Sequence, residues 1–497
     1  LIFVDLRDRT GLLQLAFDDS TPRDLFEKAA SLRGEYVIAA KGLVRERESK
    51  NPELPTGDIE VKVTELRLLA KAATPPFEIV EHSDVRDAVR LKYRYLDLRR
   101  PDMQRTIALR HKIVKICRDY FDENGFLEIE TPILTKSTPE GARDYLVPSR
   151  VHPGKFYALP QSPQQYKQLL MLSGFDRYFQ IARCFRDEDL RADRQPEFTQ
   201  VDIEMGFVQG EDVMNLMEDV MAETLAAVGV EHAFPLQRMQ YRESMDRFGN
   251  DRPDTRFGME LVDITDIVKN TGFKVFSSVA QSGGVVKAIN AKGAGDWSRG
   301  DVEKLADIAA ENGAKGMAWI LYRENGEVNS ILPKYFDPPV WRELEARMDA
   351  RSGDFILFCA DALEVVRRVL GGLRLKCADL LGLADPGDFR FALVTDFPMF
   401  EYKKDEKRYA AMHHPFTMPF PEDVELMQED RTKPLVRSQA YDVVLNGVEL
   451  GSGSVRIHRA EIQQKVFRAL GFDKEEARER FGFLLDAFRF GLSLIHI

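Results

Sequence analysis

Apolar and polar residues alternate along the first part of the chain. Short alternating runs occupy 1–6, 12–17, 36–43 and 59–69, with turn-forming residues between them. Successive side chains of a strand point to opposite faces, so this alternation predicts half-buried strands. Strands of this length and spacing favour a small β-barrel over 1–71. A Pro-Pro pair and a basic stretch at 90–100 then predict a hinge over 72–101.

Helical spacing follows the hinge. Apolar residues three and four apart predict helices over 103–123 and 211–228. Strand-like runs lie near 126–130, 178–186 and 198–207. Gly-rich turns, a strand at 355–359 and helices near 341–350 and 363–370 predict an inserted α/β domain over 272–388. The earlier pattern returns at 391–400 and in a hairpin at 440–451. The pattern indicates an α+β multidomain chain in which the parts over 102–271 and 389–491 flank the inserted domain.

Composition narrows the class of protein. The chain has 497 residues, 44% hydrophobic and 30% charged, which is typical of folded domains. No apolar run has the roughly 18 residues needed to span a membrane. The net charge of −11 argues against a generally basic nucleic-acid coat, although a local basic patch stays open. The four cysteines lie far apart without a C-x-x-C pair, so we expect neither disulfides nor zinc, and a cytoplasmic location.

A predicted strand pair at 178–186 and 198–207 carries the first candidate site. Alternation places Val201, Ile203 and Met205 on one face, which we expect to be core, and Phe198, Gln200, Asp202 and Glu204 on the other. A solvated polar face is an equally good interpretation of this pattern. The connecting segment is rich in Arg and Asp, and a guanidinium such as that of Arg186 binds phosphate bidentately while Phe198 stacks on a base. We therefore predict a nucleotide site.

A second candidate lies in the segment 442–449. Asn446-Gly447 is a strong signal for a two-residue hairpin, which pairs Leu445 with Val448 and Val444 with Glu449. Asp442 then lies on the same face as Glu449, close enough for both carboxylates to share a phosphate-bound cation. We predict Mg²⁺, with two acids on a solvated hairpin as the simpler alternative. Arg456 follows as a candidate anion-binding residue.

Two weaker signals complete the set. The loop 138–145 contains Glu140 and could close over an amine, although an ordinary surface turn explains the same residues. His413 and His414 are adjacent, which suits a metal pair poorly, so we favour contact with substrate.

Together these segments resemble a family: the bacterial type of aspartyl-tRNA synthetase, a class II enzyme with an N-terminal OB-fold. The segment 126–132 (FLEIETP) is similar to the first class II motif, and 184–200 (CFRDEDLRADRQPEFTQ) to the second. The resemblance extends from residue 1 to about 491. It implies an OB-fold barrel, an antiparallel-sheet catalytic domain and a bacterial inserted domain.

The resemblance also implies an activity and its residues. Aspartate and ATP would form aspartyl-adenylate and pyrophosphate, and the acyl group would pass to the 3′ end of tRNA(Asp). Arg186 and Glu188 would be catalytic. Binding of ATP would involve Arg186, Asp187, Glu188, Gln195, Phe198 and Glu449; binding of aspartate would involve Glu140, Gln164, Lys167, Arg186, Asp202, His413, His414 and Arg456; Mg²⁺ would bind Asp442 and Glu449. Phe3 and Gln14 would read the anticodon.

The resemblance also leads to expectations about oligomeric state and about segments missing from the chain. The first motif's family role around Pro132 implies a homodimer. The third class II motif has no match after 474–490, and 492–497 match nothing in the family, so we expect a chain truncated at both ends and impaired in adenylation. A non-catalytic tRNA-binding paralogue, or a related asparaginyl- or lysyl-tRNA synthetase, is the alternative. Whether tRNA(Asn) is also charged stays open.

Overall fold

The computed structural model describes residues 1–137, 142–189 and 194–490. The chain divides into two compact units, one from Leu1 to Lys112 and the other from Ile113 onward. Glu140 therefore lies outside the described residues.

The first unit is built on the predicted alternating strands. Its four-stranded sheet has the order β1-β2-β4-β3, and Leu15, Phe17, Val61 and Val63 fill its core together with Leu25 of the first helix. The elements of this unit, with the long helix that leaves it, are β1 Ile2–Asp8, β2 Gly11–Phe17, α1 Arg23–Ala30, β3 Val37–Glu46, β4 Ile59–Ala70, α2 Asp87–Lys92, α3 Arg94–Asp97 and α4 Pro101–Glu123.

The basic stretch of the predicted hinge is organised by a buried acid. Asp97 has no exposed surface and accepts hydrogen bonds from Arg90 Nε at 3.0 Å and Arg100 Nη1 at 3.1 Å, with Arg94 also paired to it. These guanidinium groups hold the pKa of Asp97 below its usual value despite burial. The arginines therefore stabilise this segment by pairing within it.

The second unit contains two sheets that carry the candidate catalytic residues. One has the order β5-β8-β9 and the other β10-β16-β19-β20, and both contribute to one core. The elements are β5 Leu127–Glu128, β6 Leu146–Pro148, β7 Phe156–Ala158, α5 Gln164–Leu172, β8 Arg177–Phe185, β9 Glu197–Met205, α6 Gly210–Ala227, β10 Gln237–Gln240, α7 Tyr241–Arg247, then β16 Phe391–Thr395, β17 Phe400–Lys403, β18 Arg408–Ala411, β19 Ala440–Leu445, β20 Val448–Ser454, α13 Ala460–Ala469 and α14 Lys474–Ala487.

Between β10 and β16 the chain forms a separate five-stranded sheet, β11-β12-β15-β13-β14, with helices on it. The elements are β11 Val262–Asp263, α8 Thr265–Val268, α9 Lys274–Gln281, β12 Val285–Ala291, α10 Arg299–Glu311, β13 Ala318–Tyr322, β14 Val328–Asn329, α11 Pro338–Met348, β15 Phe355–Asp361 and α12 Leu363–Leu381. We call this part the inserted segment. Its entry and exit are adjacent, because Arg256 Nη1 donates to the Asp385 carbonyl at 3.2 Å.

A buried guanidinium fixes the entry to the inserted segment. Arg374 of α12 has no exposed surface and lies 4.8 Å from the Phe248 ring centroid and 4.1 Å from that of Phe257. Its Nη2 donates to the carbonyls of Asp254, Phe257 and Gly258 at 2.8–2.9 Å. Burial lowers the pKa of Arg374 to about 10, which leaves it a cation near neutral pH.

No helix among the described residues is both long enough and apolar enough to cross a membrane.

Candidate active site

The β8–β9 pair forms the floor of the candidate site. On its predicted core face, Met205 is 5% exposed and packs in the core with Ile203. Asp202 and Glu204 are buried, with 9% and 0% of their surface exposed, whereas Val201 is 44% exposed. Asp202 lies opposite Gln180, and Glu204 opposite Tyr178. The polar face is thus the more deeply buried one here, because α5 packs over it and supplies a charged partner.

That partner is Lys167, one turn after Gln164 on α5. Lys167 Nζ lies 2.7 Å from Asp202 Oδ1 and 3.3 Å from Glu204 Oε2, and it donates to the Ile203 carbonyl at 3.2 Å. The two acids raise the pKa of Lys167 although burial opposes them. Buried charges persist only when they are paired and hydrogen-bonded, and Lys167 meets both conditions.

Arg456 adds a second cation to this cluster. Its Nη2 donates to Gln164 Oε1 at 2.8 Å, and its charge acts on Lys167 and Glu204. Burial nevertheless outweighs both cations at Glu204 and raises the pKa of that carboxyl to about 7. The cluster therefore places two cations beside Asp202 and beside Glu204, whose charge is costly, a setting suited to a small ligand with both acidic and ammonium groups.

The two histidines border the same cluster as neutral imidazoles. Burial lowers the pKa of His413 to about 4, helped by the charge of Arg456, and it lowers that of His414 well below its ordinary value. His414 Nδ1 accepts from the Phe416 amide at 3.2 Å, which leaves Nε2 as the donor. The His413 ring packs on Phe397, with centroids 4.5 Å apart.

The β19–β20 hairpin follows the predicted register at its turn. Leu445 pairs with Val448 and Val444 with Glu449, and Asn446 and Gly447 both have positive φ, 52° and 84°. An irregularity between Val443 and Val444 was not predicted. It shifts the next pairs by one residue, so Asp442 lies opposite Ser452.

Asp442 is the buried acid of this hairpin. It is 5% exposed, and burial together with the charges of Glu449 and Asp251 raises its pKa to about 8. A bound cation would relieve this repulsion. Among the described residues no group of three His, Cys, Asp or Glu side chains is arranged to hold a metal by itself. Asp442 and Glu449 therefore fit a cation such as Mg²⁺ that takes its other ligands from phosphate and water.

The end of the β8–β9 hairpin carries the predicted nucleotide-binding residues. The Arg186 guanidinium lies 5.0 Å from the centroid of the Phe198 ring. Arg194 pairs with Glu188 at 3.3 Å, and Arg143 with Asp187 at 3.6 Å. The exposed Gln195 follows Arg194. Phe198 lies on the same strand as Asp202, and Arg186 directly follows β8, so both lie toward the hairpin end from Asp202.

In the first unit, the two predicted anticodon residues share one face of the sheet. Phe3 is 56% exposed, and Gln14 lies opposite Asp5, two residues along β1. The Gln14 side chain is already engaged, since it donates to Glu60 at 2.8 Å and accepts from Arg47 at 2.6 Å. Of these two residues, only Phe3 has a large exposed side chain.

Sequence reasoning did not assign two acids of this region to the site. Glu204 was on the predicted polar face, and its spacing from Asp202 was the available signal. Asp251 carried no signal, since it lies far along the chain from Asp442 and becomes its neighbour only through folding.

The comparisons with known proteins decide the family. A family model described as "tRNA synthetases class II (D, K and N)" matches residues 86–494, and one described as "OB-fold nucleic acid binding domain" matches residues 1–69. The chain belongs to the class II tRNA synthetases. These two matches confirm the predicted combination of an OB-fold with a class II catalytic domain. Members of this class use ATP with a divalent metal.

Individual relatives confirm the predicted resemblance to bacterial aspartyl-tRNA synthetases. The synthetase is 55% identical over 494 residues to an aspartate–tRNA ligase of Ruminiclostridium cellulolyticum, with 99% of this chain and 83% of that one covered. It is 54% identical to an aspartate–tRNA(Asp/Asn) ligase of Symbiobacterium thermophilum, covering 99% and 84%. These homologues are enzymes of the aminoacyl-tRNA ligase class, and so is the synthetase.

A solved structure supports the fold. The asparaginyl-tRNA synthetase of Pyrococcus horikoshii, complexed with asparaginyl-adenylate, aligns with a TM-score of 0.57 at 18% identity, covering 99% of this chain and 84% of that one. The family model for the catalytic part extends to residue 494, three residues into the stretch 492–497 that was expected to match nothing. The expected absence of the third class II motif stays a prediction.

Proposed function

We propose that the synthetase is an aspartate–tRNA ligase that activates L-aspartate with ATP and transfers it to the 3′ end of tRNA(Asp). The observation that carries this proposal is the buried cluster of Lys167 and Arg456 with Asp202 and Glu204. The identity to aspartate–tRNA ligases agrees with it. A tRNA-binding paralogue, or an enzyme for asparagine or lysine, is not favoured.

The charges of the cluster select the amino acid. The side-chain carboxylate of aspartate would bind Lys167 and Arg456, while its ammonium group would bind Asp202 and Gln164. Asparagine offers an amide where the cations require a negative charge. An imperfect pairing in a buried site costs a few kcal/mol, so we expect strong rejection of asparagine. His413 and His414 would contact the substrate as neutral groups.

The chemistry needs no nucleophile from the protein. An oxygen of the aspartate α-carboxylate attacks the α-phosphorus, the bond from that phosphorus to the bridging oxygen breaks, and pyrophosphate leaves. Arg186 would stabilise the charge that builds on the α-phosphate, and Phe198 would stack on the adenine. Asp187, Glu188 and Gln195 would orient ATP. Holding both reactants in line then provides most of the catalysis.

Asp442 and Glu449 would hold Mg²⁺ with ATP. When bound, the metal neutralises charge on the phosphates. The support for this assignment is the repulsion that Asp442 experiences in its buried position, which a cation would remove.

Further parts of the proposal await their own tests. We propose contact of the anticodon with Phe3 and Gln14, contact of Glu140 with the substrate ammonium, a homodimer, and a cytoplasmic location. Absence of a zinc site and charging of tRNA(Asn) also stay predictions.

Pyrophosphate exchange tests the activity. Exchange should depend on aspartate, and asparagine and lysine should support it at least about a hundredfold less well, equivalent to about 2.8 kcal/mol. Equal or faster exchange with either of them contradicts the proposal. No exchange with any amino acid would favour the tRNA-binding paralogue. Aminoacylation of tRNA(Asp) and tRNA(Asn) then separates the two tRNA specificities.

A further inference from the structure

The Asn446 side chain ties the tip of the β19–β20 hairpin to a distant part of the chain. Asn446 Nδ2 donates to the Asp388 carbonyl at 2.9 Å, and Asn446 Oδ1 accepts from the Arg390 amide at 2.9 Å. The Asn446 backbone amide also donates to the Arg390 carbonyl at 3.1 Å. A hairpin turn uses Asn for its tolerance of positive φ, so the two side-chain bonds go beyond what the turn itself requires.

The two connections of the inserted segment meet at this tip. Arg390 is the last residue of the exit, because β16 begins at the next position. On the other side of the turn, a Cβ added to Gly447 would lie 3.5 Å from the Asp254 Cβ and 3.8 Å from the Arg252 carbonyl oxygen, and both of these residues belong to the entry. The tip therefore lies between the entry and the exit of the inserted segment.

Glu449 lies close to this tip on an exposed strand. β20 is the last strand of its sheet, and its first residues Val448, Glu449 and Leu450 are exposed. Two residue pairs, Leu445–Val448 and Val444–Glu449, lie between the turn and the irregularity in the hairpin. Because β20 has a neighbouring strand on one side, the position of Glu449 depends on these two pairs and on the turn that closes them.

We propose that Asn446 is a positioning residue of the metal–nucleotide site: by fixing the hairpin tip to the exit of the inserted segment, it holds Glu449 where that carboxylate can share Mg²⁺ and ATP with Asp442. The inserted segment thereby influences nucleotide binding through its connections. Hydrogen-bonding residues that orient metal ligands typically change metal affinity 10–100-fold when they are removed. Asn446 acts through the backbone of the turn, so we expect a smaller effect. This inference rests on the proposed function.

The test measures nucleotide binding in full-length variants. Asn446→Gly keeps positive φ accessible and removes both side-chain bonds. Asn325→Gly is the matched control, because Asn325-Gly326 lies in the turn between β13 and β14 and the Asn325 side chain accepts from the Glu327 amide of that same turn at 2.9 Å. Isothermal titration calorimetry follows binding of a non-cleavable α,β-methylene analogue of ATP in the presence of Mg²⁺.

We expect Asn446→Gly to raise the dissociation constant of the analogue about fivefold or more, the effect of losing about one net hydrogen bond. Asn325→Gly should leave it within about twofold of wild type. Unchanged affinity in a folded Asn446→Gly would overturn the proposal, even if its melting temperature falls, because the side chain would then serve stability alone. An equal loss in the two variants would also overturn it, since flexibility of a turn would be the cause.

A double-mutant cycle tests whether Asn446 acts through Glu449. In a Glu449→Gln background, Asn446→Gly should change the dissociation constant by less than about twofold. The full loss in both backgrounds would overturn the proposal.

Aspartate-dependent pyrophosphate exchange by the wild type separates this inference from the proposed function. Without exchange the proposed function fails. Normal exchange by the wild type, with unchanged nucleotide affinity in Asn446→Gly, removes only the role of Asn446.

Discussion

At the scale of single residues, Lys167 is the cation that pairs with two buried acids, Asp202 and Glu204. Lys167→Met leaves Asp202 and Glu204 without that cation. Removal of one partner from a buried ion pair typically lowers the free energy of unfolding by about 3–5 kcal/mol. We expect this loss in chemical denaturation, together with at least about a hundredfold lower kcat/KM for aspartate in pyrophosphate exchange.

Lys376→Met is the matched control for that variant. Lys376 pairs with Asp379 on the surface of α12, and both side chains are exposed. Exposed pairs contribute less than about 1 kcal/mol. Similar losses in the two variants would contradict the central role given to the buried pair.

Glu204 gives the stability a pH dependence. Its pKa is about 7 in the folded protein and about 4.5 in an unfolded chain. Between these values the folded state binds the proton and the unfolded state does not, so this group lowers the free energy of unfolding as pH rises. Glu204→Gln lacks this effect. We expect the melting temperature of Glu204→Gln, relative to that of wild type, to rise between pH 5 and about pH 7. An unchanged difference between the two melting temperatures over this range would contradict this expectation.

At the scale of elements, the Asn446-Gly447 turn positions the β19–β20 hairpin, to which the proposal assigns Mg²⁺. Gly447→Ala places a side chain at φ 84°, which costs about 1–2 kcal/mol. Gly471, at the end of α13, also has φ 84°, and no atom lies within 4 Å of a Cβ added there. Gly471→Ala therefore introduces the same backbone strain at a position away from the candidate site. We expect similar losses of stability, but a raised KM for ATP only in Gly447→Ala. A raised KM in both variants would indicate a general effect of strain.

The same hairpin shows what the sequence could and could not predict. Turn chemistry is local, so Asn446-Gly447 was enough to give the pairs Leu445–Val448 and Val444–Glu449. The irregularity beyond Val444 depends on how the strand meets its neighbours, and no local pattern indicates it. The faces of β9 were separated correctly by alternation, but burial of the polar face depends on α5, which packs there from elsewhere in the chain.

At the scale of the whole molecule, the proposal assigns adenylation and anticodon recognition to different units. Phe3→Ala removes an exposed ring from the first unit, and stacking on a base is worth about 1–3 kcal/mol. We expect a KM for tRNA(Asp) raised about 5- to 150-fold in aminoacylation, from the same free energy, and unchanged pyrophosphate exchange. An exchange rate that falls in parallel would show that Phe3 acts on folding instead of on tRNA.

The adjacent ends of the inserted segment have a consequence for engineering. Because Arg256 already contacts Asp385, excising the intervening module would require only a short splice. The excision would also delete Arg374, the cation that grips the backbone carbonyls next to Asp254. A shortened enzyme would therefore close its backbone easily yet lose the cation that holds the Asp254 carbonyl near the turn of β19–β20.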